Sequence, residues 1–239
     1  MRFAGGPKLQ RMKNSGKAGK AARRMILWTL IALVSLIGVA ILAVMVAAFI
    51  TVVYFALVGL WIVFTLFTLY FFRDPDPRVP AGPGLVVSPG HGKVDVIDVI
   101  NEPRFMEGEC RRVSIFLSVF DVHVQNSPVS GKVTYFKYTE GKFLNAMKTE
   151  SAQHNENILL GIESSDPAYA KVGVRLITGL IARRLVPWVE QGEVVERGER
   201  ISLIQFGSRV DVYLPMSATI QVKIGDRAVG GETVLASLL

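Results

Sequence analysis

Apolar and charged residues are divided very unevenly along this chain. From Met25 to Phe72 there is no charged residue, and most positions are aliphatic or aromatic. A cleaved signal peptide has an apolar core of only about 7–15 residues, whereas one membrane-spanning helix needs about 20. One helix over the whole stretch would be roughly 70 Å long, far more than the thickness of the hydrocarbon core. The pattern therefore predicts a two-helix membrane hairpin over 25–72, with helices at about 27–48 and 52–72 and a turn near Phe49–Thr51.

The chain after the apolar stretch has a different pattern. Four prolines and two glycines in 73–84 predict an extended linker. Residues 85–239 then consist of short apolar runs, in which β-branched residues alternate with polar ones and turns contain glycine. This pattern predicts strands, and the length fits one domain. The turns resemble those of biotinyl and lipoyl carrier domains, so we expect a mainly β, barrel-sandwich-like domain. No lysine of the carrier type occupies a turn, and a carrier function is not expected.

Charge changes the interpretation of the N-terminus. The chain carries a formal net charge of +7, but residues 1–24 alone hold eight basic groups and no acid, and the remainder is close to neutral. A basic tail without a basic folded face argues against nucleic-acid binding and suits anionic lipid headgroups. By the positive-inside tendency the tail should be cytoplasmic, and two crossings would return the domain to that side. We therefore expect a cell-membrane protein whose domain faces the cytoplasm.

Cysteine and histidine usage limits the chemistry. A single cysteine, Cys110, excludes an internal disulfide framework and any metal site with several cysteines. The three histidines, at positions 91, 123 and 154, do not have the spacing of a zinc site. No metal is predicted.

One dipeptide is difficult to explain by packing. In "QFGSRVDVYLP", Gly207 and Ser208 interrupt a run in which Val210, Val212 and Leu214 alternate with polar residues. Glycine within a strand costs conformational entropy and leaves a gap. It could form a bulge or a tight corner. Alternatively, its peptide bond could react, because glycine leaves its carbonyl open to attack and serine supplies a nucleophile that a base can activate.

Several stretches together resemble a known family. They are "YFFRDPDPRVP", "VVSPGHGKV", "IFLSVFDVHVQNSPVSGKV", "QHNENILLGIE", "GLIARRLVPWV" and "VERGERISLIQFGSRVDVYLP". In this order and spacing they resemble the short (type A) prokaryotic phosphatidylserine decarboxylases, which depend on a pyruvoyl group. A lone Gly-Ser pair would carry no information, but "FGSRVDVYLP" together with the histidine-bearing "FDVHVQNSPVSG" is specific.

The resemblance implies self-cleavage between Gly207 and Ser208. The fragments 1–207 and 208–239 would remain together as a heterodimer, and Ser208 would become a covalent pyruvoyl group. That group, a bound form of pyruvate, would form a Schiff base with the amine of phosphatidylserine in the membrane. Loss of carbon dioxide would then give phosphatidylethanolamine, and no separate cofactor would be needed.

The resemblance also assigns catalytic histidines. His123 corresponds to the family's base in self-cleavage, and imidazole suits general acid–base work. His91 stands in "SPGHG", where the family usually has "SPADG" and an aspartate that orients or activates the histidine. A histidine cannot supply a fixed negative charge. Either His91 acts as a base, or another acid such as Asp121 or Asp211 supplies the charge, or processing is slow or absent.

Two arginines and two alternative functions complete the hypothesis. Arg183 and Arg184 match the family's "ARR" and could bind the phosphate of the lipid, although arginines at a strand end that face water are equally compatible. The departure at position 91 keeps open an unprocessed, membrane-tethered β domain that binds lipid or a partner. A decarboxylase of another serine-headed lipid, such as an ether-linked one, is the third possibility. A homo-oligomer is compatible with all of them.

Overall fold

The uncharged stretch forms one continuous helix. The structure, a computed structural model, describes residues 16–141, 154–179, 184–205 and 208–238. Helix α1 spans Lys17–Phe71, 55 residues, and therefore includes the last part of the basic tail. At about 1.5 Å per residue it is roughly 80 Å long. Among the described residues it is the helix that is long and apolar enough to cross a membrane, which is compatible with membrane association.

The predicted two-helix hairpin is wrong for this structure, because α1 has no turn near Phe49–Thr51. The segment contains no proline and no paired glycine, so nothing in it interrupts the backbone hydrogen bonds. The hydroxyl of Thr51 donates to the carbonyl of Ala47 at 2.8 Å, which satisfies the side chain within the helix. The prediction relied on the thickness of a bilayer, which limits how a helix crosses a membrane but does not itself break one.

The segment after the helix has neither helix nor strand from 73 to 81, as the linker prediction requires. It is nevertheless held against the β domain. Arg200 pairs with Asp74 at 2.6 Å and with Asp76 at 2.8 Å. Arg197 donates to the carbonyl oxygens of Pro80, Gly82 and Leu85. The linker therefore has a fixed path over the domain. By backbone contacts, Leu66–Leu239 form one compact unit, and the helix up to Thr65 falls in the other.

The rest of the described chain is mainly β, as predicted. Every strand pairing in it is antiparallel. The strands are β1 (Leu85–Val87), β2 (Gly92–Glu102), β3 (Gly108–Leu117), β4 (Val124–Asn126), β5 (Gly131–Thr139), β6 (Asn157–Ser165), β7 (Ala168–Thr178), β8 (Leu185–Pro187), β9 (Val194–Val195), β10 (Arg200–Ile204), β11 (Ser208–Leu214), β12 (Thr219–Ile220), β13 (Arg227–Ala228) and β14 (Val234–Ser237).

These strands form one large and two small sheets. The eight-stranded sheet has the order β13-β2-β3-β11-β7-β6-β5-β9. The three-stranded sheets have the orders β1-β14-β12 and β4-β10-β8. Glycines at the first positions of β2 and β5 allow the neighbouring backbone to come close. A Cβ at Gly92 would lie 2.1 Å from the carbonyl oxygen of Phe116, and one at Gly131 would lie 2.2 Å from that of Glu163.

Strand β11 has two very different faces, because successive side chains of a strand point to opposite sides. Val210, Val212 and Leu214 are fully buried in the main hydrophobic core, together with aliphatic residues of β3, β6 and β7. Arg209, Asp211 and Tyr213 lie on the other face, where they are also buried. Because Ser208 is in phase with Val210, its side chain faces the core.

Candidate active site

Ser208 is the first residue of β11, at the centre of the large sheet. Its Cα partners are Leu117 of β3 on one side and Thr178 of β7 on the other. The residue is fully buried, and its hydroxyl has no hydrogen-bond partner among the described residues. A buried hydroxyl without a partner costs about 1–3 kcal/mol, so its retention inside a core calls for an explanation.

The "SPGHG" loop between β1 and β2 packs beside this serine. A Cβ on Gly90 would contact the side chain of Leu117 at 3.5 Å and that of Val210 at 3.6 Å. These are the β3 partner of Ser208 and its next neighbour on the same face of β11. The hydroxyl of Ser88 donates to the carbonyl of Gly90 at 2.6 Å and fixes the turn. The loop that carries His91 is therefore held close to Ser208.

His123 reaches the same region from the segment that precedes β4. It is fully buried, and its carbonyl accepts the backbone N–H of Ile204, the last residue of β10 and four residues before Ser208. Its Nδ1 donates to the carbonyl oxygen of Asp121 at 2.8 Å. Because a carbonyl oxygen only accepts, Nδ1 carries the proton, and in the neutral ring Nε2 keeps its lone pair.

Burial keeps the imidazole of His123 neutral. Desolvation lowers its pKa to about 4, and the smaller effects of Asp121, which raise it, do not compensate. Arg73 and His91 lower the pKa of His123 further. At neutral pH the ring can therefore accept a proton directly at Nε2, as a general base must.

Asp121 is a buried acid that acts on both histidines. It is almost fully buried, and its Oδ2 accepts the backbone N–H and the hydroxyl of Ser118, both at 2.8 Å. Its Oδ1 pairs with Arg227. The carboxylate acts electrostatically on both His123 and His91. Asp211 differs, because it accepts the hydroxyl of Ser114 at 2.5 Å on the opposite face of β11 from Ser208.

His91 is half-buried near this carboxylate. Desolvation lowers its pKa below the usual value, and Asp121 opposes that effect. Its ring fills space that a larger residue at position 230 would need, since a Cβ on Gly230 would lie 2.8 Å from the Nε2 of His91. The loop of His91 thus packs against residues that adjoin Ser208, the carbonyl of His123 accepts the N–H of Ile204, and Asp121 acts electrostatically on both histidines.

Comparisons with known proteins identify the family of this chain. The sequence model of the family "Phosphatidylserine decarboxylase" matches residues 64–236. A "Phosphatidylserine decarboxylase proenzyme" from Desulfotalea psychrophila is 42% identical over 198 residues, which cover 81% of this chain and 92% of that protein. Another from Symbiobacterium thermophilum is 45% identical over 186 residues, which cover 78% of this chain and 86% of that protein. The chain belongs to the phosphatidylserine decarboxylase family.

Family membership confirms the resemblance inferred from the motifs, and the matched region includes every predicted site residue. Gly207 and Arg183 lie outside the described residues. Arg184 is exposed, and its carbonyl accepts the backbone N–H of Gln205 at 3.3 Å, so its backbone lies beside the segment that leads to Ser208. The roles of all these residues stay predictions.

Sequence reasoning missed one side of the site in this family member. Thr178, the β7 partner of Ser208, is fully buried, and its hydroxyl donates to the carbonyl of Glu156 at 3.1 Å. The amide of Asn155 donates to the carbonyl of Thr178 at 2.7 Å. The motif "HNEN" therefore supports the backbone beside the serine. The two asparagines of this motif were the available signal, because a buried amide side chain seldom lacks a structural role.

The second omission is Phe71, the fully buried residue at the end of α1. Its ring lies against that of His123, with centroids 4.2 Å apart and planes inclined by 30°. The motif "YFFR" had been noted only as part of the family resemblance. No local pattern links it to a histidine so far along the chain.

Proposed function

We propose that this protein is a self-cleaving, pyruvoyl-dependent decarboxylase, which converts phosphatidylserine into phosphatidylethanolamine and carbon dioxide at the membrane. The observation that carries the proposal is its membership of a family whose relatives, at 42% and 45% identity over most of both chains, are named proenzymes of that activity. The apolar helix α1 supports a substrate whose acyl chains remain in the bilayer.

The geometry of Ser208 fits the formation of a pyruvoyl group. Its hydroxyl is buried, faces the core and has no hydrogen-bond partner among the described residues. In the proposed cleavage, Oγ attacks the carbonyl carbon of Gly207, the amide bond breaks and an ester forms. Elimination then releases the carboxylate of Gly207, and hydrolysis at the former serine nitrogen releases ammonia. This sequence needs no external oxidant or reductant.

His123 is our candidate for the base that takes the proton of Ser208. Its Nδ1 donates its proton to the carbonyl of Asp121, so in the neutral ring the lone pair lies on Nε2. The ring is neutral at physiological pH because desolvation lowers its pKa to about 4. The carboxylate of Asp121 would stabilise the imidazolium that forms, a role in which it replaces the family's usual aspartate. His91 would be a second, half-buried proton carrier beside the same carboxylate.

Cations around the site suit an anionic lipid headgroup. Arg73 and Arg227 act electrostatically on His91, and the side chain of Arg227 is 71% exposed. Guanidinium groups favour bidentate contacts with phosphate and carboxylate oxygens. We assign Arg183 and Arg184 to the same task as further candidates. Once formed, the pyruvoyl carbonyl would supply an electron sink for the bond broken in decarboxylation, after condensation with the substrate amine.

We also propose the finer parts of the architecture. The two fragments, 1–207 and 208–239, stay together, and the sheets are arranged like the barrel-sandwich of carrier domains. We place the β domain on the cytoplasmic side, which the basic tail supports if α1 does not cross the bilayer in one straight pass. One straight crossing by α1 would put the tail and the domain on opposite sides of the membrane, so protease accessibility in sealed vesicles of known orientation tests this placement directly.

Intact mass spectrometry tests the proposed function. We expect wild-type protein to yield a fragment 208–239 that is lighter by one ammonia than the same peptide with an N-terminal serine. Ser208→Ala should remain a single chain and release no carbon dioxide from phosphatidylserine vesicles. Ser202→Ala is the matched control, since Ser202 is also fully buried but donates to Gln125 at 2.7 Å, and this variant should still be cut.

The outcome that contradicts the mechanism is an uncut wild-type chain that still releases carbon dioxide. An uncut and inactive chain with an unmodified Ser208 would instead favour the membrane-tethered binding domain. Vesicles that contain a diacyl or an ether-linked serine lipid, assayed side by side, separate the two decarboxylase hypotheses.

A further inference from the structure

The last turn of α1 belongs to the β domain. Leu66 and the residues after it fall in the same compact unit as the sheets. Phe71 is fully buried there, whereas its neighbours Tyr70 and Phe72 remain 48% and 42% exposed. The end of the helix therefore inserts one aromatic ring, that of Phe71, into the domain and leaves the two neighbouring rings partly exposed.

The inserted ring packs against the imidazole of His123. The centroids of Phe71 and His123 are 4.2 Å apart, and their planes are inclined by 30°. The ring of Phe72 lies 5.0 Å from that of Phe71 in an edge-to-face arrangement. Such aromatic pairs contribute roughly 0.5–1.5 kcal/mol beyond the area they bury. The phenyl ring therefore both orients the imidazole and keeps water from one of its faces.

The helix end is fastened to the loop that carries the histidine. Tyr70 donates its hydroxyl to the carbonyl of Phe120 at 3.2 Å. The guanidinium of Arg73 donates to the carbonyl oxygens of Tyr70 and Phe120, both at 2.7 Å, and lies over the ring of Tyr70 at 3.9 Å. These contacts grip the residue that immediately precedes Asp121. Residues on both sides of Phe71 are therefore bonded to the loop that carries His123.

We propose that Phe71 is a positioning residue for the reaction, which holds the ring of His123 in place and shields it from water. The inference rests on the proposed function, in which His123 accepts the proton of Ser208. It adds that the membrane helix contributes to the self-cleavage machinery, because a change in its last turn acts on the catalytic base. Phe71 touches neither the substrate nor the reacting atoms in this account.

Several charged groups face His123 and must be considered in any pH test. Asp121 raises its pKa, and Arg73 and His91 lower it. Through His91, the charges of Arg227 and Glu232 also belong to this cluster. Phe71 carries no charge, so its replacement changes the desolvation, which is the largest cause of the lowered pKa, and leaves those charges in place.

The first experiment titrates His123 directly in the full-length Ser208→Ala chain, where processing cannot interfere. NMR of labelled histidine, assigned by histidine variants, should show the pKa of His123 rising from about 4 toward 6.5 when Phe71 is replaced by alanine. Phe71→Leu should give a smaller rise, because leucine still excludes some water. Phe72→Leu, at the exposed neighbour, is the matched control and should leave the titration unchanged.

The second experiment measures self-cleavage of newly synthesised full-length chains between pH 5 and pH 8. Wild type and Phe72→Leu should be cut at rates that are nearly independent of pH. Phe71→Ala should be cut more slowly than wild type at pH 8, because the ring is less well held, and about tenfold more slowly still at pH 5.5, where a histidine of unperturbed pKa is about 90% protonated. Phe71→Leu should recover part of that loss.

The two experiments separate the failure of this inference from failure of the proposed function. An unchanged titration of His123 in Phe71→Ala, or a cleavage rate of that variant that does not fall further from pH 8 to pH 5.5, would overturn the role assigned to Phe71. A wild-type chain that is never cut would overturn the proposed function itself, whatever the titration gives.

Discussion

Replacing Arg209 by methionine would remove a cation from inside the protein. Arg209 is only 1% exposed and pairs with Asp95 through two hydrogen bonds, NH1 to Oδ1 at 3.1 Å and NH2 to Oδ2 at 2.5 Å. Methionine has a similar length and adapts to irregular spaces, so packing changes little. The carboxylate of Asp95, whose side chain is 29% exposed, is then left without this partner.

The magnitude follows from the burial of the pair. Breaking a buried ion pair by removal of one partner costs about 3–5 kcal/mol. Because Asp95 retains some contact with water, we expect the lower end, about 3 kcal/mol. In a protein of this size 1 kcal/mol corresponds to about 2–4 °C in the melting temperature, so Arg209→Met should lower it by about 6–12 °C.

The effect should depend on pH in a defined direction. Burial raises the pKa of Asp95 above its ordinary value, even though Arg209 lowers it. A carboxyl whose pKa is raised by folding binds a proton more readily in the folded state, so its contribution to stability increases as pH falls through that pKa. Loss of Arg209 must raise the pKa of Asp95 further. The deficit of Arg209→Met should therefore shrink between pH 7 and pH 5.

Thermal unfolding of the full-length Ser208→Ala chain is the assay, because all molecules then share one covalent form. Arg200→Met is the control. Arg200 forms ion pairs too, with Asp74 and Asp76, but its side chain is 34% exposed, and such surface pairs contribute only about 0–1 kcal/mol. Arg209→Met with Asp95→Asn should recover part of the loss. If Arg209→Met costs no more than Arg200→Met, the reasoning from burial is wrong.

Two further predictions concern the face of the sheet opposite Ser208. Gly161→Ala should destabilise the domain by about 1–3 kcal/mol, because the new Cβ would lie 2.4 Å from the ring of Phe105. Gly108→Ala is the control and should not destabilise it, because a Cβ at Gly108 would have nothing within 4 Å. Equal melting temperatures of the two variants would contradict this prediction. Cys110 should resist thiol reagents at pH 8 until the chain is denatured, because burial, and next the charge of Glu102, raise the pKa of its thiol to about 11; labelling of the native protein at the rate of the denatured one would contradict it.

The strands could be predicted from sequence because their pattern is local. The alternation Val210, Val212 and Leu214 identifies β11, and it also fixes which side chains share a face. The same alternation excludes Asp211 from the side of Ser208, since the two are an odd number of residues apart. The choice between Asp121 and Asp211 was left open although this signal was available.

The remaining features depend on contacts between distant residues. Phe71 meets His123, and Asn155 supports the strand beside Ser208, only because the sheet order brings these segments together. No period or motif within one segment encodes such a pairing. The helix was mispredicted for a different reason: the thickness of a bilayer was used as a rule about the chain, whereas the backbone of 17–71 contains nothing that stops a helix.

The strand order determines how the two fragments would be held together after cleavage. Fragment 208–239 would supply β11 and β13 to the large sheet and β12 and β14 to a small one, and β11 is hydrogen-bonded on both sides by strands of the other fragment. The short piece could leave only if both sheets melted. Different molecules would therefore not exchange fragments, and each molecule would be cleaved once and irreversibly.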